Sequence, residues 1–137
     1  MFKTVLFPLD GTRESREAAD TVVKMVKNFN ARLVLLSVRE VAVEGEEPPP
    51  PDRVMSPEAI AELLKNARAM FSQQGIEADT IEREGKPAFV ICDVADEMDA
   101  DLVIMGCRGI GLTEEGLADS VTNRVINLAP CPVLIVP

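Results

Sequence analysis

Residues 3 to 38 read KTVLFPLDGTRESREAADTVVKMVKNFNARLVLLSV, two short apolar runs separated by a longer segment of different periodicity. The runs at 3–9 and 32–38 are rich in leucine and valine and are typical of buried strands. Between them, from Arg13 to Asn30, apolar residues recur every three or four positions, which predicts a helix with one buried stripe. This order of elements predicts a β-α-β unit with parallel strands.

The same alternation continues to the end of the chain. Ser56-Pro57-Glu58 has the composition of a helix start, and Gly75 is a typical left-handed stop. The other predicted elements are a weak, edge-like strand at 76–83, a helix at 87–98, a strand at 100–105, a helix at 120–129 and a strand at 133–136. The helical spacing places Phe29, Met70 and Leu128 on buried faces.

Five strands alternating with four helices predict an α/β fold, with a parallel sheet covered by helices on both faces. In such folds ligands bind beyond the carboxyl ends of the strands, where the strand order reverses. Asp10 follows the first strand and Gly106 ends the fourth, so we expect these two residues to meet at that edge.

The 137 residues, 47% of them apolar, predict a single domain over 1–137. Residues 41–55, VAVEGEEPPPPDRVM, favour an exposed proline-rich loop. The formal charge of -9 opposes binding to nucleic acids and to anionic membranes, so neither partner is expected. Since no apolar run approaches the roughly 20 residues of a membrane span and no signal peptide is evident, we expect a cytoplasmic protein.

The chain has no histidine, which excludes Ser-His and Cys-His nucleophilic catalysis and the usual histidine-rich metal sites. Cys92, Cys107 and Cys131 are odd in number and widely spaced, so we predict reduced thiols and neither a disulfide framework nor a zinc site. No catalytic residue and no metal ligand is predicted.

Residues 106 to 122, GCRGIGLTEEGLADSVT, form a glycine-rich connection into the last predicted helix. Glycines 106, 109 and 111 let backbone amides approach a ligand closely, and a helix beginning near Ser120 directs its positive end at an anion. A Gly-x-x-Gly turn also joins a strand to a helix for geometric reasons alone. These residues alone are consistent with both a phosphate-binding loop and a purely geometric turn.

In context the chain resembles the universal stress protein family, whose nucleotide-binding members carry G-x2-G-x9-G-[S/T] between strand 4 and the last helix. Gly106, Gly109 and Ser120 match this pattern. The resemblance extends to FPLDGT, to Val38 at the end of strand 2, to MGCRG and to the closing APCPVLIVP, and covers essentially the full length. It implies the strand order 3-2-1-4-5.

The resemblance also implies a crevice for ATP or AMP, with Mg²⁺ accompanying the nucleotide. It would put Asp10 at the ribose or adenine end, with Pro8, Val38 and Met105 around the base. The residues from Gly106 onward would contact the ribose and phosphates. The residues that it assigns to the crevice are Pro8, Asp10, Gly11, Thr12, Val38, Met105, Gly106, Arg108, Gly109, Asp119, Ser120, Val121 and Thr122.

Asp119 departs from the pattern, because the family has glycine at this position. An aspartate adds a side chain and a negative charge where phosphate would approach, which weakens the grip on a triphosphate. Two other interpretations remain open, a helix N-cap and a ligand of a divalent cation. Glu114 and Glu115 either add to the repulsion or form a solvated face, and Arg108 pairs with one of these carboxylates or with a phosphate.

The first hypothesis is therefore a stress-response regulatory or binding module that retains an adenine-nucleotide crevice, binds triphosphate weakly and acts through unidentified protein partners. The alternative is an ATP-binding member with metal-assisted binding and slow hydrolysis or autophosphorylation. A small-molecule enzyme on this scaffold is a third hypothesis, but the sequence offers no matched acid and base pair for it. The resemblance further implies a homodimer through the edge strand 133–136.

Overall fold

The computed structural model describes residues 2–10, 13–41, 45, 56–106 and 121–137. In chain order the strands are β1 (Thr4–Pro8), β2 (Arg32–Arg39), β3 (Ala78–Glu84), β4 (Leu102–Gly106) and β5 (Val133–Val136). The helices are α1 (Arg13–Phe29), α2 (Pro57–Gln73), α3 (Pro87–Glu97) and α4 (Val121–Leu128). The predicted alternation of strands and helices is confirmed.

All five strands run parallel in one sheet with the order β3-β2-β1-β4-β5. The expected order and the position of β3 at an edge are therefore confirmed. β1 pairs with β2 on one side and with β4 on the other. The strand order reverses between β1 and β4, which is where an open parallel sheet leaves a crevice at its carboxyl edge.

Two apolar cores lie on the two faces of the sheet. Successive strand residues alternate between them, as a two-residue period requires: Phe7 and Leu35 face α1 and α2, while Leu6 and Val34 face α3 and α4. Phe7 contacts Phe71 of α2 edge to face, with ring centroids 6.2 Å apart. Because each face buries the apolar stripe of its helices, both faces of the sheet are covered as predicted.

The start and stop of α2 follow the sequence prediction. The Ser56 hydroxyl accepts a hydrogen bond from the backbone N–H of Ala59 at 3.1 Å, which caps the first turn. Gly75 has φ 79°, and the N–H of the following Ile76 donates to the carbonyl of Phe71 at 2.9 Å. This closes the helix by the left-handed motif that glycine favours.

α1 and α3 end by the same motif without glycine. Asn30 and Asp99 take the left-handed position, with φ 49° and 51°. In each case the next residue donates its N–H five positions back, Ala31 to Val26 at 3.0 Å and Ala100 to Ala95 at 2.9 Å. Asparagine and aspartate tolerate this conformation better than other residues with a side chain.

The prediction that Phe29, Met70 and Leu128 are buried is wrong. Phe29 and Met70 are each 38% exposed and Leu128 is 50% exposed. The buried stripe of each helix is narrower than its apolar spacing suggested, and these residues lie at its margins. Phe29 instead packs edge to face on Phe2, with ring centroids 5.0 Å apart.

Candidate functional site

The carboxyl edge of the sheet carries apolar side chains from three elements. Val38 near the end of β2, Met105 near the end of β4 and Val121 at the start of α4 all pack against the α3/α4 core. Met105 is buried, and the other two are half-buried. Together they form an apolar wall at this edge, and apolar side chains line most small-molecule sites in proteins.

A carboxylate follows β1 at the same edge. The main chain stays tied to β2 one residue beyond the strand, because the N–H of Leu9 donates to the carbonyl of Leu36 at 2.8 Å. Pro8 ends β1, and Asp10 comes directly after this tie with an exposed side chain. Asp10 is therefore held at the sheet edge while remaining accessible to solvent.

The end of β4 is joined to the first turn of α4. The hydroxyl of Thr122, which is 8% exposed, donates to the carbonyl of Gly106 at 3.5 Å. Since α4 leads back from this edge of the sheet, its N-terminal amides and the positive end of its dipole lie there. An anion bound at that point would be stabilised by both.

Seven of the predicted site residues lie in the described part of the chain, and all seven come from the ends of β1, β2 and β4 or from the start of α4. The other six lie outside the described residues, as do Glu114, Glu115 and Cys107. These six are Gly11, Thr12, Arg108, Gly109, Asp119 and Ser120. Of the predicted loop 41–55, only Val41 and Gly45 are described.

Cys92 and Cys131 are free thiols, as predicted. Both are half-buried against the α3/α4 core. Burial, followed by the charge of Asp93, raises the pKa of Cys92. Burial, followed by the charge of Asp101 and by Cys92, raises the pKa of Cys131. Since the thiolate is the nucleophilic form, neither cysteine is activated for chemistry.

The described residues contain no group of three or more cysteine, aspartate or glutamate side chains arranged to hold a metal ion. No helix in the same ranges is long and apolar enough to cross a membrane.

Sequence reasoning missed a group of contacts at the carboxyl ends of β2 and β3. The guanidinium of Arg39 pairs with the carboxylate of Glu84. The N–H of Gly85 donates to the carbonyl of Arg39 at 3.0 Å. No local pattern marks these residues, because they become neighbours only through the register in which Arg39 faces Glu84.

The whole chain matches a known family. The model of the universal stress protein family covers residues 1–137. The chain belongs to the universal stress protein family. Universal stress protein Sll1654 of Synechocystis is 60% identical over 141 residues, which cover 100% of this chain and 87% of that protein.

Solved structures of universal stress proteins share the fold. One, in complex with cAMP, has a TM-score of 0.78 at 24% identity and covers 99% of this chain and 97% of its own. Another, from Arabidopsis thaliana with AMP bound, has a TM-score of 0.69 at 20% identity and covers 98% of this chain and 90% of its own. These two likenesses show the fold.

Proposed function

We propose that this universal stress protein binds an adenine nucleotide at the carboxyl edge of the sheet and serves as a regulatory binding module. The observation that carries the proposal is the reversal of strand order between β1 and β4. Asp10 follows β1, Gly106 ends β4, and the first turn of α4 is held beside Gly106 by a hydrogen bond from Thr122. An open α/β sheet binds ligands at such a point.

The side chains present fit the parts of an adenine nucleotide. Val38, Met105 and Pro8 offer apolar surface to the base, and the carboxylate of Asp10 accepts hydrogen bonds from ribose hydroxyls. The N-terminal amides of α4, near Val121 and Thr122, suit a phosphate. Gly11, Thr12, Arg108, Gly109 and Ser120 complete the assignment through the family pattern. The cAMP and AMP complexes of other family members support this choice of ligand.

We further propose that Asp119 weakens binding of a triphosphate, so that AMP or adenosine binds at least as well as ATP. Two unit charges roughly 5 Å apart repel by about 0.8 kcal/mol in bulk water and about 3 kcal/mol at an effective dielectric near 20. This corresponds to a loss of affinity from a few-fold to more than about a hundred-fold. The protein then acts through protein partners rather than through turnover, and Mg²⁺ enters only with bound nucleotide.

Calorimetric titration with ATP, AMP and adenosine, with and without Mg²⁺, tests the proposal. AMP or adenosine should bind measurably, and Asp119→Gly should raise ATP affinity. Asp119→Asn serves as a matched variant, because asparagine caps a helix as well as aspartate does but carries no charge. If both substitutions raise ATP affinity, the charge is responsible.

Other results of that titration have different meanings. A gain in Asp119→Gly alone assigns the effect to the size of the side chain. A loss of Mg²⁺-dependent ATP binding in both variants would instead support the alternative, an ATP-binding protein in which Asp119 helps to hold the metal. Slow hydrolysis or autophosphorylation would then need to be measured. Absence of binding by all three compounds contradicts the nucleotide crevice.

We also propose a homodimer formed through β5 in the cytoplasm. β5 lies at an edge of the sheet, and its four residues, Val133–Val136, are uncharged and half-buried. α4 packs against β5 and exposes Ile126 (53%) and Leu128 (50%). An apolar edge with unpaired backbone groups favours pairing with a second strand. We propose that 1–137 is a single domain and that its proline-rich residues 41–55 are available to further partners.

A further inference from the structure

The carboxyl end of β2 is held to the end of β3 and the residue after it by two contacts. The side chain of Arg39 is 25% exposed and forms an ion pair with Glu84 of β3. The carbonyl of Arg39 accepts a hydrogen bond from Gly85 at 3.0 Å. Both contacts fall on the residue that directly follows Val38, which belongs to the apolar wall at this edge.

Gly85 is suited to this position for two physical reasons. Its φ of 139° is strained for any residue with a side chain. A Cβ at this position would lie 3.0 Å from Cγ2 of Val90 in α3, so the turn is packed closely against the helix. The segment from the end of β3 into α3 thus holds the end of β2 from one side.

We propose that Arg39, Glu84 and Gly85 act as a positioning clamp for the nucleotide crevice, an inference that rests on the proposed function. The clamp fixes the backbone of Val38 and Arg39 where the base would bind. Without it, the last residues of β2 are held only by the strand pairing, and part of the binding free energy is spent on ordering them. Arg39 and Glu84 thereby influence the affinity through Val38 and need not touch the ligand.

The structure provides a matched control at the opposite end of the same two strands. Arg32 of β2 and Asp79 of β3 form an ion pair of 2.8 Å, with side chains 53% and 58% exposed. This pair also joins β2 to β3, but it lies at the amino edge of the sheet, away from the crevice. A role limited to strand pairing would give both pairs similar effects.

The experiment reverses each charge singly and then exchanges both, as Arg39→Glu, Glu84→Arg and the double variant, with the same set at Arg32 and Asp79. AMP affinity is measured by calorimetry, and hydrogen exchange of the Gly85 amide is measured without ligand. Each single reversal at the clamp should lower AMP affinity roughly fivefold and speed exchange, since a close ion pair is lost and repulsion added. The double exchange should restore the AMP affinity and the exchange rate of Gly85 to within about twofold of the wild type. The variants at Arg32 and Asp79 should change neither quantity.

The two readouts separate failure of the clamp from failure of the proposed function. If the wild type binds none of ATP, AMP and adenosine, the nucleotide crevice is wrong. Unchanged exchange at Gly85 in the clamp variants would refute the clamp itself. If AMP binds and the clamp variants change exchange alone, the contacts are structural and the inference is overturned. A loss of affinity that the double exchange does not restore would assign Arg39 to direct ligand contact, which also contradicts the clamp.

Discussion

The two edge strands of the sheet differ sharply in chemistry. β3, ADTIERE, exposes Asp79, Glu82 and Arg83. Asp79 and Glu84 form ion pairs with β2, and Arg83 forms one with α3. β5, VLIV, carries no charge, and all four of its residues are half-buried. Charges on an edge strand discourage pairing with another chain, whereas an apolar edge invites it. The comparison predicts that β5, and not β3, pairs with a second chain.

The largest predicted effect is on the dissociation constant of the dimer and comes from a substitution at Ile135 of β5. The N–H of Val103 donates to the carbonyl of Pro132, so alternation along the ladder directs the N–H of Ile135 to the open edge. Ile135→Pro removes that donor from both copies of a dimer. We expect its dissociation constant to rise by about 100-fold, or about 2.7 kcal/mol, measured by light scattering across micromolar concentrations.

Ile135→Ala is the matched control for this prediction. It shortens the same side chain, which packs on the α3/α4 core, but keeps the N–H group. It should lose some stability and remain dimeric. A wild type that is monomeric throughout the concentration range, or a dimer that survives Ile135→Pro, would show that β5 is not the interface and that the contrast between the edges has another origin.

The second prediction concerns the centre of the sheet, where the side chain of Asp101 joins β1 to β4. One carboxylate oxygen of Asp101 accepts the N–H groups of Lys3 and Thr4, each at 2.9 Å, and so ties the start of β1 to the start of β4. Asp101→Asn should lower the free energy of unfolding by about 1–2 kcal/mol, since two hydrogen bonds to a charged acceptor are weakened. Urea denaturation measures this loss.

Asp99→Asn provides the control, since it removes a neighbouring charge without disturbing the backbone. Asp99 has φ 51°, and asparagine accepts this left-handed conformation at least as well. Its unfolding free energy should stay within about 0.5 kcal/mol of the wild type. Equal losses in the two variants would attribute the effect to net charge and would contradict the role of Asp101 in joining the strands.

A smaller effect is expected when β3 is made to resemble β5. Thr80 and Glu82 are exposed on this edge strand. Replacing both with valine should produce concentration-dependent species larger than a dimer, visible by sedimentation velocity, because the second edge then also favours pairing. Glu82→Gln keeps a polar side chain and should leave the mass unchanged. Unchanged association in the double valine variant would mean that the polar side chains of β3 do not protect this edge.

The features of this fold that depend on local sequence could be predicted best. The alternation of strands and helices, the cap at Ser56 and the stop at Gly75 depend on local chemistry and were predicted correctly. The ends of α1 and α3 were predicted to within one residue, but the left-handed conformations of Asn30 and Asp99 were not, because these residue types occupy several conformations and only the surrounding backbone selects one.

Contacts between residues that are far apart in the sequence were harder to predict. The pairing of Arg39 with Glu84 joins residues 45 positions apart and depends on the β2–β3 register, which no local pattern encodes. The assignment of Pro8, Val38 and Met105 to the base came from the family resemblance rather than from periodicity. The roles of Asp119 and Arg108 rest on the resemblance and on charge, because these residues lie outside the described part of the chain.

The smallest predicted effect concerns Cys131, two residues before β5. Burial first, then the charge of Asp101 and then Cys92, raises the pKa of this thiol in the folded protein. Above the ordinary thiol pKa of about 8.5, the unfolded chain loses this proton while the folded chain keeps it, so stability should fall as the pH rises. Below that pH the group has no effect.

Cys131→Ser should flatten this alkaline decline in the free energy of unfolding, as followed by urea denaturation from pH 7 to 10. Asp101→Asn should flatten it partly, because it removes the second largest cause of the raised pKa. If the decline is identical in the wild type and in Cys131→Ser, the thiol next to β5 titrates normally. Cys131 would then be better solvated than its half-buried position indicates. The apolar character that distinguishes β5 from β3 would be limited to residues 133–136.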